Sequence, residues 1–431
     1  MEFIKSIKSK FIRYALPLIA VIPLLFAGYI NSVSADAKKG QIFGLNYTVN
    51  GDPRTSLAFC WQTASDDKRT AIRYEMPAGG GFQASRAVTE TGRETVFATD
   101  DGTRYVHKVV LTGLRPGTSY SYRVSDGAGG YSAAYTFSTL PDTPSGTHAF
   151  TFLAYTDTQA VTQKQYGDYF EYSLEKALDK KGREYSKPAF ILHTGDIVDN
   201  GGSERNQWNS FFSAATSLRD NLFVPTEGNH EAMYGGTANF LNHFDVPDTY
   251  YSFVYGSCLF MILNTSGDIA KQIKWMEQTV ASNKGVKWKI VAMHKGPYGG
   301  AHANDADVIA IRRALPPEFD KLGVSLVLEG HDHAYMRSRF MYGGNAVSNI
   351  MTDGEYVNPK GTVYIVTGAC GPKVYAPVQK PWTLFTWRPA DSDVNSPDKK
   401  LYDAVTVCDK WLEVGVYTAD NKRIDSIKIA K

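Results

Sequence analysis

From Ala149 onward, apolar runs of strand length alternate with segments of helical periodicity, which confines this part of the chain to an α/β fold with largely parallel central strands. The runs are Ala149–Tyr155, Ala189–His193, Leu222–Pro225, Val286–Met293 and Val324–Leu328, with a hairpin-like Tyr251–Leu263 among them. Helical patterns cover Gln163–Leu178, Arg205–Leu218, Ile269–Ser282 and Ala306–Leu322. From Gly361 the pattern returns to β, over Gly361–Gly368, Ala404–Val407, Leu412–Tyr417 and Arg423–Ile429. In sheets of this kind ligands bind beyond the carboxyl ends of strands, where loops converge. Five strand ends here carry residues of metal-binding type: Asp157, then Asp196, then Asn229 and His230, then His294, then His331 and His333. A lone strand-end Asp is a turn residue or a helix cap, and a lone His is a satisfied hydrogen-bonding group. Five such ends in succession argue for a shared site.

Before Ala149 the rhythm is all-β. Short alternating runs (Ser56–Gln62, Tyr105–Leu111, Tyr120–Val124, Ala134–Ser138) are separated by Gly-, Asp- and Pro-rich turns, the pattern of a β-sandwich over residues 41–141. Leu114, Pro116 and Tyr120 resemble the corner of fibronectin type III domains, in which the Tyr hydroxyl ties the chain back on itself. This module has no titratable cluster and reads as structural. A turn-rich linker, Leu140–Gly146, leads to the α/β part at 148–431.

Residues 1–35 have another character. Lys5, Lys8, Lys10 and Arg13 precede an uncharged apolar run from Tyr14 to Ile30, and Val33-Ser34-Ala35 offers small residues for cleavage after Ala35. That order is a secretory signal peptide; the rival reading is a retained anchor, since the run is close to bilayer-spanning length. The expected location is secreted, periplasmic or at the cell surface. Cleavage would take the formal net charge from +2 to −1, so the slight basicity belongs to the export signal. The remaining chain has no basic patch suited to nucleic acid and no further membrane segment. Its four cysteines form no CxxC pair, which argues against a thiolate zinc site. In an oxidising compartment a Cys370–Cys408 bridge is expected, with Cys60 and Cys258 as small buried hydrophobes.

Asp157, Gly195-Asp196, Gly228-Asn229-His230-Glu231, His294 and Gly330-His331-Asp332-His333, in that order, resemble the signature of the calcineurin-like metallophosphoesterases. The β-sandwich in front, and Ala334-Tyr335-Met336-Arg337 after the histidine pair, narrow the resemblance to the purple acid phosphatase branch. It runs from about Gln41 to the C-terminus and implies an enzyme hydrolysing phosphate esters at two divalent transition-metal ions. In that reading Asp196 bridges both ions, Asp157 and His333 hold the first, and Asn229, His294 and His331 hold the second. Carboxylate, amide and imidazole ligands suit Fe, Mn or Zn. Two ions about 3.5–4 Å apart clamp a phosphate and convert water to hydroxide near neutral pH. The resemblance places His230 opposite the leaving group as a proton donor or charge stabiliser, with Glu231 orienting it.

The chain also departs from the family. Purple acid phosphatases carry an iron-binding Tyr three residues after the bridging Asp, where this sequence has Asp199. Other branches often place a His two residues after the first Asp, where this sequence has Gln159. A colourless protein using divalent metals is therefore expected, with Gln159 and Asp199 as candidate ligands or supports. His302, in a Gly-rich loop, and Arg337 are candidates for contact with substrate phosphate, as is Lys295. His193 reads as a core histidine; His107, His148 and His243 have no motif. A small phosphorylated partner is expected, most simply a monoester. A phosphodiesterase or nucleotidase with the same centre, and a non-catalytic cell-surface binding protein, are the alternatives.

Overall fold

The computed structural model describes residues 40–65, 69–77, 79, 81–142, 149–375, 385–387 and 399–431. The export-signal reading of residues 1–35, most of the predicted linker and His148 lie outside the described residues.

The N-terminal part is a sandwich of two four-stranded antiparallel sheets. One orders Ile42–Val49, Leu57–Thr63, Gly102–Leu111 and Arg93–Thr99; the other orders Val88–Thr91, Ala71–Glu75, Ser119–Val124 and Tyr135–Ser138. Aromatic side chains fill the space between them, with Phe59 edge-on to Phe137 at 5.0 Å and to Tyr122 at 5.2 Å. The Arg115 N–H donates to the Tyr120 hydroxyl at 2.9 Å, which ties the corner back as its sequence suggests.

The second part stacks two larger sheets. The eight-stranded sheet has Phe150–Tyr155, Pro188–His193 and Phe223–Pro225 running parallel. The seven-stranded sheet has Cys258–Ile262, Trp288–Lys295, Leu326–Gly330 and Val363–Val366 running parallel. All six residues of Phe150–Tyr155 are buried, as a strand covered on both faces requires. Phe152 meets Phe260 at 5.3 Å, so the sheets pack face to face. On the outer side of the second sheet, Met276, Leu315 and Phe319 of the helices Ile269–Ser282 and Ala306–Leu322 join Leu259, Val291 and Val327. The C-terminal strands complete the first sheet, with Leu401–Val407 antiparallel to Phe150–Tyr155. No helix among the described residues is long and apolar enough to cross a membrane.

All four cysteines are free and buried, so the expected Cys370–Cys408 bridge is absent. The reason is topological. The Cys370 N–H donates to Thr156 O, just past one end of Phe150–Tyr155, whereas Cys408 follows Val407, which pairs with Phe150 at the other end. That strand is 6 residues long. At about 3.3 Å per residue it keeps the two cysteines roughly 20 Å apart. A disulfide tolerates a Cα separation of only about 4.4–6.8 Å.

Candidate metal centre

Asp157 and Asp196 follow adjacent parallel strands, and their loops are tied together: Asp157 N–H donates to Gly195 O (3.1 Å) and Gln159 N–H to Asp196 O (3.1 Å). Asp157, Asp196, His331 and His333 all take left-handed backbone, with φ of 51°, 53°, 74° and 50°. Side-chain-bearing residues seldom adopt it, and each instance costs about 1–3 kcal/mol. Four within one constellation mark the site as a place where geometry overrides local preference. Gly195 (φ 101°) allows the loops to meet, since a Cβ there would lie 2.8 Å from Gly228 Cα and 2.9 Å from His294 Nδ1.

Beside a more exposed group of His302, Asp305 and His331, two groups of donor atoms form around Asp196, each within 4.8 Å across: Asp157, Asp196 and His333 in one, and Asp196, His294 and His331 in the other. Asp196 belongs to both. Its Oδ2 lies 3.0 Å from His294 Nε2, and Asp157 Oδ1 lies 3.1 Å from His333 Nε2. His294 donates its Nδ1–H to Thr194 O (3.0 Å) and His333 to Lys373 O (2.9 Å), which turns both Nε2 atoms inward. Asp157 Oδ2 accepts from Thr156 Oγ1 (2.8 Å) and from His331 N–H (2.9 Å).

Four buried atoms here lack a hydrogen bond of good geometry: Gln159 Oε1 and Asn229 Oδ1, and Asp157 Oδ1 and His294 Nε2, which meet only the ion-pair partners just given. Leaving so many polar atoms unsatisfied is costly, and they are the kinds of donor that hold divalent cations. Burial acts to lower His294, but Asp196 and Asp157 outweigh it and raise the imidazole to about 9. Burial likewise opposes the Asp157 carboxylate, yet His333 and His294 hold it well below its ordinary range. Burial, with His294 and His302 nearby, lowers His331 to about 3, which keeps it neutral as a ligand must be. Protons on His294 and His333 thus balance the carboxylates, and cations would displace those protons. The residues present fit metal ions.

His230 stands at the edge of this group, Nε2 3.8 Å from Asp196 Oδ2. Its Nδ1–H donates to Asp199 O at 2.6 Å and its backbone N–H to Asp196 Oδ1 at 2.9 Å. Glu231 does not orient His230, contrary to the sequence expectation. Its carboxylate accepts from Asp196 N–H (2.8 Å), Gly228 N–H (2.9 Å) and Val198 N–H (2.9 Å), so it holds the Asp196 loop. Burial and the charge of Asp196 raise Glu231 to about 8. Asp199 lies outside both donor groups: its carbonyl fixes His230, and its half-exposed carboxylate is 3.5 Å from the same ring nitrogen.

Gln159 Nε2 lies 3.2 Å from His333 Nε2 and 3.4 Å from Asp196 Oδ2, and a half-turn of the amide would present Oε1 there instead. His302 lies over His331 with ring centroids 4.1 Å apart, its loop fastened to the Asp332 carboxylate through Gly300 N–H and His302 N–H. Arg337 is committed elsewhere. It forms a forked pair with Asp425 at 2.7 and 3.1 Å, linking the two sheets away from the centre. Lys295 pairs with Asp307. His193 is a core histidine, bonded through Thr158 Oγ1 (3.1 Å) and Gly195 N–H (3.2 Å). The sequence reading missed Tyr375, whose ring lies 4.4 Å from His333, and Gly371, whose N–H donates to Asp157 O at 2.9 Å. The small-residue run Gly368–Gly371 after Val363–Val366 was the available signal, a sixth strand end, beside Leu326–Gly330 in the seven-stranded sheet.

Residues 150–335 match the family described as calcineurin-like phosphoesterase, and residues 43–139 match the purple acid phosphatase N-terminal domain. The chain carries a calcineurin-like phosphoesterase domain behind a purple acid phosphatase N-terminal domain. The phosphoesterase domain has relatives of differing status. An uncharacterized Mycobacterium tuberculosis protein is 25% identical over 374 residues, 76% of this chain and 69% of its own length. Acid phosphatase type 7 of Mus musculus is 27% identical over 301 residues, 62% of this chain and 64% of its own. A protein named probable inactive purple acid phosphatase 1, from Arabidopsis thaliana, is 26% identical over 353 residues, 72% of this chain and 56% of its own. The solved purple acid phosphatase of yellow lupin seeds shares the fold, with TM-score 0.73 and 17% identity over 90% of this chain and 74% of that one.

Proposed function

We propose that this protein is an exported phosphoesterase that hydrolyses phosphate monoesters with a pair of divalent cations, drawn from Fe, Mn or Zn. The observation that carries the reading is the sharing of the buried Asp196 carboxylate between two groups of inward-facing donors. Asp157, His333 and Asp196 would hold one cation, with Gln159 beside it; Asp196, His294, His331 and Asn229 would hold the other. Cations bound there supply a Lewis acid for phosphate oxygens and lower the pKa of water toward neutrality. His230 has its Nδ1–H committed to Asp199 O, so Nε2 is the atom that holds or gives a proton at the departing alcohol. Glu231 keeps the Asp196 loop in place. The basic residues and apolar run before Ala35 support export.

Two Arabidopsis thaliana relatives are named probable inactive purple acid phosphatases, but this chain has all six ligands that the family resemblance assigns to the two cations, and His230, which supports catalysis. Turnover of a nitrophenyl phosphate monoester is expected to exceed that of the bis-ester by at least about tenfold, roughly 1.4 kcal/mol of transition-state discrimination. Faster bis-ester turnover would favour the phosphodiesterase reading, and no turnover of either would favour the binding-protein reading.

Colour is a second expectation. With Asp199 in place of the family's Tyr and outside both donor groups, the iron-loaded protein should lack a visible tyrosinate–iron(III) band, which an absorption spectrum of freshly purified material checks.

A further inference from the structure

The N-terminal sandwich meets the phosphoesterase domain at several places, among them Asn46 with His243 O, Tyr122 with Arg219 O and Arg93 with Asp245, and one hairpin tip reaches furthest toward the centre's loops through its own side chains. Arg93–Thr99 and Gly102–Leu111 are joined by Asp100 and Asp101 alone. Arg104, nearly fully buried, donates to the carbonyl of Asp101 (3.1 Å) and pairs with its carboxylate, which stiffens the turn. Asp101 in turn accepts from Arg205 Nε (3.1 Å) and Asn209 Nδ2 (2.8 Å).

Asp100 makes the more telling contacts. The helical segment beginning at Glu204 opens with a π-helical turn, a rare geometry that recurs at functional sites. Ser203 precedes it and does not cap it with its own side chain. Instead Asp100 Oδ1 accepts from Glu204 N–H (2.7 Å) and Arg205 N–H (3.0 Å), and Oδ2 accepts from the Ser203 hydroxyl (2.8 Å). The free N–H groups of this helix start are therefore satisfied from another domain.

That first turn holds the loop behind His230. Gln207 Oε1 accepts from Asp199 N–H (3.0 Å) and from the Tyr166 hydroxyl (3.0 Å), and Trp208 Nε1–H donates to Gly201 O (2.8 Å). Gly201 N–H donates to His230 O (2.9 Å), and His230 Nδ1–H donates to Asp199 O (2.6 Å). A continuous set of hydrogen bonds thus runs from Asp100, through the turn 204–208, to both ends of His230.

We propose that Asp100 is a positioning residue for His230: the sandwich domain, by capping the 204–208 turn, sets the loop that aims the imidazole at the leaving group. The inference rests on the phosphoesterase reading above, with His230 as proton donor. It gives the N-terminal module a part in the reaction that its own sequence, with no cluster of titratable groups, does not suggest.

The test compares full-length wild type, Asp100→Ala and Asp100→Asn on an alkyl phosphate and on nitrophenyl phosphate. An alkoxide needs a proton as it departs and a nitrophenolate does not, so misaiming His230 should penalise only the first. Asp100→Ala is expected to lower kcat on the alkyl ester roughly tenfold and on the nitrophenyl ester by less than about twofold. KM and metal content should not change, and amide hydrogen exchange over residues 199–205 should quicken. Asp100→Asn, which keeps an acceptor oxygen, should recover most of the alkyl-ester rate. Asp52→Ala, which removes a surface ion pair with Arg54 elsewhere on the sandwich, should leave both rates as they were. An unaltered alkyl-ester rate in Asp100→Ala, or equal losses on both esters with loss of metal, overturns the proposal. If wild type turns over neither ester, the phosphoesterase reading itself fails, which is a separate outcome.

Discussion

Asp196→Asn is expected to lower phosphate-ester turnover by about a thousandfold, the equivalent of roughly 4 kcal/mol of transition-state stabilisation lost with the cations. Asp196 is the one residue common to both donor groups, and it is buried. The substitution keeps the side-chain oxygen that accepts from His230 N–H and alters almost no volume, so the fold should survive. It removes the charge that raises His294, and neutral amides hold divalent ions weakly. Circular dichroism should match wild type while activity and bound metal fall together. Wild-type turnover in a folded Asp196→Asn protein would contradict the shared-carboxylate account.

Gly330→Ala should be nearly as damaging, although it removes no functional group. A Cβ at Gly330 would sit 2.0 Å from Thr156 Oγ1, 2.7 Å from Asp157 Oδ2 and 3.0 Å from His294 Nδ1. None of these can retreat freely. Thr156 Oγ1 is hydrogen-bonded to Asp157, all three residues are buried, and the next residue, His331, is held by Asp157 Oδ2. The added methyl must push the Asp157 carboxylate, at a cost of about 1–3 kcal/mol in stability. Metal affinity should drop about 10- to 100-fold, as it does when a ligand's supports are disturbed. Thermal melting and a metal titration would read both effects. A variant with wild-type melting and affinity would mean that the glycine in this motif is dispensable.

Much of this arrangement is legible in the sequence, because strands and helices here end on local signals. Ile269–Ser282 begins where the Asp268 side chain accepts from Lys271 N–H, and Ala306–Leu322 ends at Gly323 in left-handed backbone. The strand-end rule found Asp157, Asp196, His294, His331 and His333 without any knowledge of which strands are neighbours. What it could not find depends on distant pairing. Nothing local to Leu401–Val407 says that it lies beside Phe150–Tyr155, and that placement is what separates Cys370 from Cys408. Glu231 follows His230 in the chain, yet its carboxylate serves backbone groups of Asp196 and Val198, more than 30 positions earlier. Arg337 sits beside the histidine pair in sequence and against Asp425 in space, 88 positions away. Side-chain direction, rather than proximity in the chain, decided each of these.

The central claim is that one carboxylate organises two cation sites. Metal analysis of full-length wild type, Asp157→Ala, His294→Ala and Asp196→Asn, after chelation and reloading with Mn, Zn or Fe, tests it most directly. The account predicts two equivalents per chain in wild type, a loss of about one in each of the first two variants, and loss of both in Asp196→Asn, with phosphate release following occupancy. A single equivalent in wild type, or phosphate release that persists after the metals are stripped, would contradict it.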